Sequence, residues 1–253
     1  MPRFRAPRFD ERLTIVEHLD ELRTRVIVSI AALGVAVGLC FWQNHLLLDL
    51  LNGPLPAGKK PITLSPAEPF LATFKVSAYA GILLALPVLL YEAYGFLLPA
   101  LSPAERRVIV PFLVLVPLLF VVGVAFGYYV VLPAGLKFLL NFNSDQFQVQ
   151  VRAGDYYGFV TLTLMAMGIV FQVPMGILAM TRLGITTPRQ LAKNRRYAYL
   201  ILAIVAMLLP GTDPITMLIE LAPLLVLYEF SIVLARAFDR PAASAPPAID
   251  ETG

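Results

Sequence analysis

The chain has 253 residues, of which 58% are hydrophobic and 15% charged, and its formal net charge is +3. Water-soluble domains average roughly 45–50% apolar and about 25% charged residues, so this composition excludes a chain that covers itself with polar groups; lipid must cover part of it. The mean hydropathy of +0.75 agrees, and the pI near 9.0 fits Lys and Arg gathered in loops on one membrane face rather than a nucleic-acid surface.

Residues 10–25 carry Leu13, Val16, Leu19 and Leu22 at near-helical spacing. Thr14 to Glu17 matches a capping box. This pattern predicts an amphipathic helix lying on the membrane surface and leading into the first span. Glu17, Glu21 and Arg25 fall at i, i+4 and i+8 on its polar side. From spacing alone, a solvated anchor helix with its own ion pairs is a better reading than a binding helix. No cleavable signal peptide is expected in this polar, Arg-rich stretch, and Asp10, Glu11 and Glu17 argue against an organelle transit segment.

A helix needs about 20 apolar residues to cross a hydrocarbon core of about 30 Å. The expected spans are residues 26–42, 71–98, 108–132, 157–180, 197–209 and 215–234. The outer loop at 43–70 holds Pro54, Pro56, Pro61, Pro66 and Pro69 and is expected to form a structured cap; a second outer loop is expected at 133–156. Pro99 and Pro103 stop the second span, with Ser102 placed to cap a new turn that contains Glu105. Gln172, beside Pro174 and deep in the fourth span, suits a helix–helix hydrogen bond. The fifth span, at about 1.5 Å per residue, reaches only about 20 Å before the turn Pro210-Gly211-Thr212-Asp213-Pro214. The fifth and sixth spans therefore form a short hairpin where the bilayer thins or water enters. Residues 237–253 read as a disordered tail.

Basic residues assign the sides. Arg3, Arg5, Arg8, Arg12, Arg23, Arg25, Arg106, Arg107, Arg189, Arg195, Arg196 and Arg236 fall on one face, against Lys59, Lys60, Lys75, Lys137 and Arg152 on the other. The first face is expected to be cytoplasmic, with both termini there and six spans between them. Glu92, Glu220 and Glu229 lie inside apolar runs, where a charge is costly. Glu92 and Glu229 are near enough to the cytoplasmic ends to reach the interface; Glu220 is deeper and must be protonated, paired or facing a wet cavity. Gly34 and Gly38, and Gly123 and Gly127, are spaced for close helix packing within or between chains. Cys40 is the only cysteine, so no internal disulfide forms. There is no HExxH, GxSxG, phosphate-binding Gly-rich loop or CxxC, so no enzyme, cofactor or metal site is expected.

Several segments together resemble the TatC family, the multispanning receptor of the twin-arginine protein translocase. His18-Leu19-Asp20-Glu21-Leu22-Arg23-Thr24-Arg25 resembles that family's HLxELRxR signature. Pro54 is similar to its first-loop proline, and Ser65 to Phe70 to the entry of its second span. Phe96-Leu97-Leu98-Pro99-Ala100-Leu101, then Glu105-Arg106-Arg107, resembles its FxxPAL…ERR loop. Phe171-Gln172-Val173-Pro174 resembles FExP, and 209–214 its outer turn. Two departures stand out: Gln172 replaces the family's usual Glu, and Thr216 and Met217 replace Ser and Gln after Asp213.

The resemblance implies an all-α, six-span receptor in a bacterial inner membrane, driven by the proton-motive force and without enzymatic turnover. It implies that Glu21 and Glu105 receive the two arginines of a signal peptide on folded cargo, with Phe96 and Leu19 near its apolar segment. Arg23 and Arg25 would orient Glu21 or bind lipid phosphate. Pro54, Gln172, Asp213, Met217 and Glu220 are the expected partner and translocation residues. Implied partners are TatA- and TatB-like single-span subunits, membrane lipid and further copies of the chain, with no nucleic acid. The alternative reading is a small proton-coupled secondary transporter using Glu220, opposed by the lack of internal repeats.

Overall fold

A computed structural model describes residues 15–56, 60–97, 103–147, 149–182, 185–211 and 213–238. The expected disordered tail falls outside them from residue 239 onward, and Ala237 and Phe238 close the last helix. The described residues form ten α-helices in the order α1 Ile15–Trp42, α2 Asn44–Asn52, α3 Glu68–Leu97, α4 Pro103–Phe126, α5 Leu132–Asn141, α6 Ala153–Val170, α7 Val173–Arg182, α8 Pro188–Lys193, α9 Arg195–Leu208 and α10 Pro214–Phe238. A π-helical turn, Gly127–Val131, joins α4 to α5. Among the described residues the only β contact is an isolated bridge between Ile62 and Arg152.

Five segments are long and apolar enough to cross a bilayer: Leu19–Trp42, Glu68–Ala93, Val114–Asn141, Ala153–Thr181 and Pro214–Ala237. The remaining expected span, the fifth, is α9, whose 14 residues reach about 21 Å and no further. The all-α, multi-pass architecture and the short fifth helix thus match the sequence reading.

Four boundaries differ from it. The surface helix and the first span are one helix from Ile15, because no Gly or Pro occurs between Ile15 and Gly34 and the Glu21–Arg25 pair braces the junction. The third span does not end at Pro133. That proline sits in the first turn of α5, where its missing N–H costs nothing, and helix continues to Asn141 through the expected loop. The fourth span is broken at Phe171 and Gln172, because Pro174 cannot supply an amide to the preceding turn. Finally, α8 was not expected; Thr187 and Gln190 form a capping box around its start.

The 43–70 loop is a structured cap as expected. Three tyrosines hold the carboxyl end of α2, where helix carbonyls lack internal partners. The Tyr128 hydroxyl donates to Leu50 O at 2.6 Å, Tyr156 to Leu51 O at 2.6 Å, and Tyr157 to Asn52 Oδ1 at 2.9 Å. Pro54 follows directly, half-buried. At the other end of the loop, Glu68 accepts from Leu64 N, Gly154 N and Arg152 Nε at 2.8–2.9 Å. One carboxylate thereby ties the start of α3 to the start of α6.

The bundle core has two parts. One gathers α2, α3, α5 and α6 around Val76, Leu132 and Val160; the other gathers α6, α7, α9 and α10 around Met167, Leu224 and Ile232. Small residues let α4 and α6 approach: a Cβ on Gly123 would lie 2.5 Å from Met167 O, and one on Gly168 would strike the Phe120 ring. Gly34 and Gly38 face open space, so that pair packs against nothing among the described residues. Gly123→Val should therefore cost about 1–3 kcal/mol by overpacking, read as a lower thermal unfolding midpoint in detergent, whereas Gly34→Val should leave the midpoint unchanged. Glu68→Ala should release the cap and speed proteolysis between α2 and α3 without unfolding the bundle.

Candidate functional site

The basic end of the bundle carries a carboxylate–guanidinium cluster. Arg25 lies one turn after Glu21 on α1, and its Nε and Nη2 donate to Glu21 Oε1 at 2.9 and 2.6 Å. Its Nη1 reaches across to α3 and donates to Glu92 Oε2 at 3.0 Å. The side chains are 24% exposed for Glu21, 23% for Arg25 and 15% for Glu92, so water screens the cluster only in part. Gly95, one turn after Glu92, admits the guanidinium, since a Cβ there would overlap it. Two carboxylates hold one guanidinium at an end otherwise rich in arginine.

The structure groups the expected residues as follows. Glu21 and Phe96 lie at the same end, on α1 and α3, with Phe96 half-buried next to Gly95. Arg23 is exposed, and Leu19 is 59% exposed. Glu105 belongs to the first turn of α4, and its side chain lies outside the described residues. Arg25 holds Glu21, as expected. Glu92 does more than reach the interface: it is the second anchor of Arg25, and neither it nor Gly95 was foreseen as part of the site. The readable signal was the Glu21–Arg25 spacing; the partner across the helix pair required knowing that α1 packs chiefly along α3.

A second polar group surrounds the α9–α10 turn. Asp213 caps α10, its Oδ1 accepting from Thr216 N at 2.7 Å. Glu220 is fully buried, and neither carboxylate oxygen has a hydrogen-bond partner among the described residues. Asp213, Thr216 and Glu220 are spaced i, i+3 and i+7 and face inward, with Thr216 packed against Gly135 of α5. Glu220 is therefore not on the surface a partner helix would meet. Met217 is half-buried against the α9–α10 core. The outward face of α10 is instead apolar, with Ile215, Leu218, Val226, Phe230 and Val233 all exposed. Nearer the basic end, Glu229 accepts from Arg195 Nη2 at 2.7 Å and from the Tyr199 hydroxyl at 2.5 Å, which joins α9 to α10.

Gln172 makes the helix–helix bond expected of it. Its Nε2 donates to Val116 O of α4 at 3.2 Å and to Gly168 O at 3.3 Å. No group of three His, Cys, Asp or Glu side chains that could hold a metal ion occurs among the described residues.

Fold and site together define a multi-pass α-helical membrane protein with an acidic cluster at its basic end. The family described as Sec-independent protein translocase protein (TatC) matches residues 17–223. The chain is 38% identical over 237 residues to the Sec-independent protein translocase protein TatC of Desulforapulum autotrophicum, covering 92% of this chain and 88% of that one. It is 34% identical over 229 residues to the TatC protein of Carboxydothermus hydrogenoformans, covering 90% of this chain and 94% of that one. Among solved structures it resembles a twin-arginine translocase receptor TatC, with a TM-score of 0.74 and 36% identity over 87% of this chain and 99% of the other. The chain belongs to the TatC family.

Glu92→Ala should leave Arg25 with one anchor and loosen the α1–α3 pair. A lost hydrogen bond between charged groups costs about 1.5–3 kcal/mol, and partial exposure places this one near the lower value. The check is thermal unfolding in detergent. Glu92→Gln, which keeps an acceptor oxygen, should recover part of the loss.

Proposed function

We propose that this chain is the receptor subunit of a twin-arginine protein translocase, with the Glu21 end as its signal-peptide site. The observation that carries the reading is that Glu21 and Glu92 together hold a guanidinium, that of Arg25, at the end where the family signature lies. Arg guanidinium and carboxylate meet in fork geometry, which Lys cannot reproduce. The cluster grips the Arg25 guanidinium in this way, and a signal-peptide arginine presents the same group. Exposed ion pairs contribute only about 0–1 kcal/mol, and the partial burial of Glu21 lifts this site out of that class. Glu105, in the first turn of α4, supplies the second carboxylate. Phe96 and Leu19 offer apolar surface to the peptide segment after its arginines.

In this reading the basic end is cytoplasmic in a bacterial inner membrane, residues 1–236 form one membrane domain, and the chain has no enzymatic turnover. The proton-motive force drives transport through the assembled complex. TatA- and TatB-like single-span subunits dock on the exposed apolar faces of α9 and α10, where Leu200, Ile201, Ile204, Val226 and Phe230 point outward. The open Gly34 and Gly38 face of α1 serves self-association. Family membership sets aside the proton-coupled transporter.

The test is site-specific photocrosslinking from positions 21 and 105 to a twin-arginine signal peptide, with a twin-lysine peptide as control. Crosslinks should form with the first and fall with the second. Glu105→Ala should lower peptide affinity about tenfold or more, the size expected for losing a charge-assisted pair, while the thermal midpoint stays put. Equal crosslinking to both peptides would remove the receptor assignment from this end of the molecule.

A further inference from the structure

At the end of the bundle opposite Arg25, a cavity of about 310 Å³ lies between the first turns of α3 and α6. Its walls include Glu68, Leu71, Lys75, Arg152, Gly154 and Asp155. Glu68 is committed: it accepts from two backbone amides and from Arg152 Nε. Arg152 has further N–H donors beyond the one it gives to Glu68. Lys75 and Asp155 differ from that pair. Both are exposed, both line the cavity, and neither makes an ion pair or side-chain hydrogen bond with any described residue. The cavity thus presents one uncommitted ammonium and one uncommitted carboxylate on opposite walls, α3 and α6.

Its depth identifies what meets it. Phe41, Phe70 and Phe74 are exposed and in ring contact, and Trp42, next to Phe41 in sequence, is 81% exposed, a set of aromatics of the kind that marks a membrane–water interface. Lys75 lies seven residues into α3, about 10 Å below Glu68, and its Nζ points across to α6, where a Cβ on Gly158 would lie 3.9 Å away. Leu71 and Phe74 offer apolar surface to acyl chains on the same helix. A volume near 300 Å³ is the lower end of small-ligand sites and suits a head group rather than a whole lipid.

We propose that this cavity seats the head group of a phospholipid that carries both a phosphate and a primary ammonium, the ethanolamine class. The phosphate lies against Lys75 and the remaining N–H groups of Arg152, and the ammonium donates to Asp155. Charge balance favours this occupant over an anionic lipid. The four walls Glu68, Arg152, Lys75 and Asp155 sum to zero, so a zwitterion leaves no charge unmatched, whereas a purely anionic head group faces Asp155 unpaired. A choline head group has no N–H to give Asp155.

The experiment is native mass spectrometry of the full chain released from nanodiscs containing equal parts of ethanolamine, glycerol and choline phospholipids. The native chain should retain ethanolamine lipid in preference to the other two. Lys75→Gln should lower that retention about tenfold. Asp155→Asn should abolish the preference for ethanolamine over choline while some lipid still binds. Both variants should keep the native thermal midpoint; if Lys75→Gln does not, Asp155→Asn carries the test alone. Equal retention of all three lipids, an unchanged preference in Asp155→Asn, or displacement of the lipid by millimolar inorganic phosphate would each overturn the proposal.

Discussion

The fifth span, α9, is too short for its membrane. At 14 residues α9 spans about 21 Å, against a hydrocarbon core of about 30 Å. The turn after it therefore sits at membrane depth, where irregular backbone is tolerated only if protein or water covers it. Protein does so here. Asp213 caps the first turn of α10, and the Thr163 hydroxyl faces Pro210 O. The third span supplies the rest of the cover. Its π turn and α5 carry it past Pro133, placing Val131, Leu132 and Leu136 in the core and Gly135 against Thr216. The length missing from the fifth span is matched by the length added to the third.

At the basic end the same cost of burying polar groups has a different solution. A guanidinium entering the membrane region with α1 would be expensive alone. Glu21 on its own helix and Glu92 on α3 compensate it, and the absence of a side chain at Gly95 makes the approach possible.

How much of this was legible depended on whether the signal was local. Span number, the shortness of the fifth helix and the cap over the first loop follow from hydropathy runs, helix rise and proline density. The Glu21–Arg25 pair follows from i, i+4 spacing. Pro133 misled because proline stops a helix from inside and starts one from its first turn, and only the covering role of α5 decides between them. The capping box at Thr187 and Gln190 was readable but lay in a polar loop with no apolar run to draw notice. Glu92, Gly95 and the Glu68–Arg152 tie join residues far apart in sequence, and no single-chain pattern pairs them. Glu220 was correctly singled out as costly, but its inward direction came only from packing.

Gln172 shows how an amide, unlike a carboxylate, can fasten a helix break inside a bundle. Its amide donates to Val116 O and Gly168 O, and so fastens the break between α6 and α7 to α4. Carbonyl oxygens only accept, so an ionised carboxylate at this position could make neither bond. An amide does not titrate, and the fastening holds in this chain whatever the proton gradient across the membrane. Position 172 contributes structure here, and any response of this subunit to that gradient must arise at another residue.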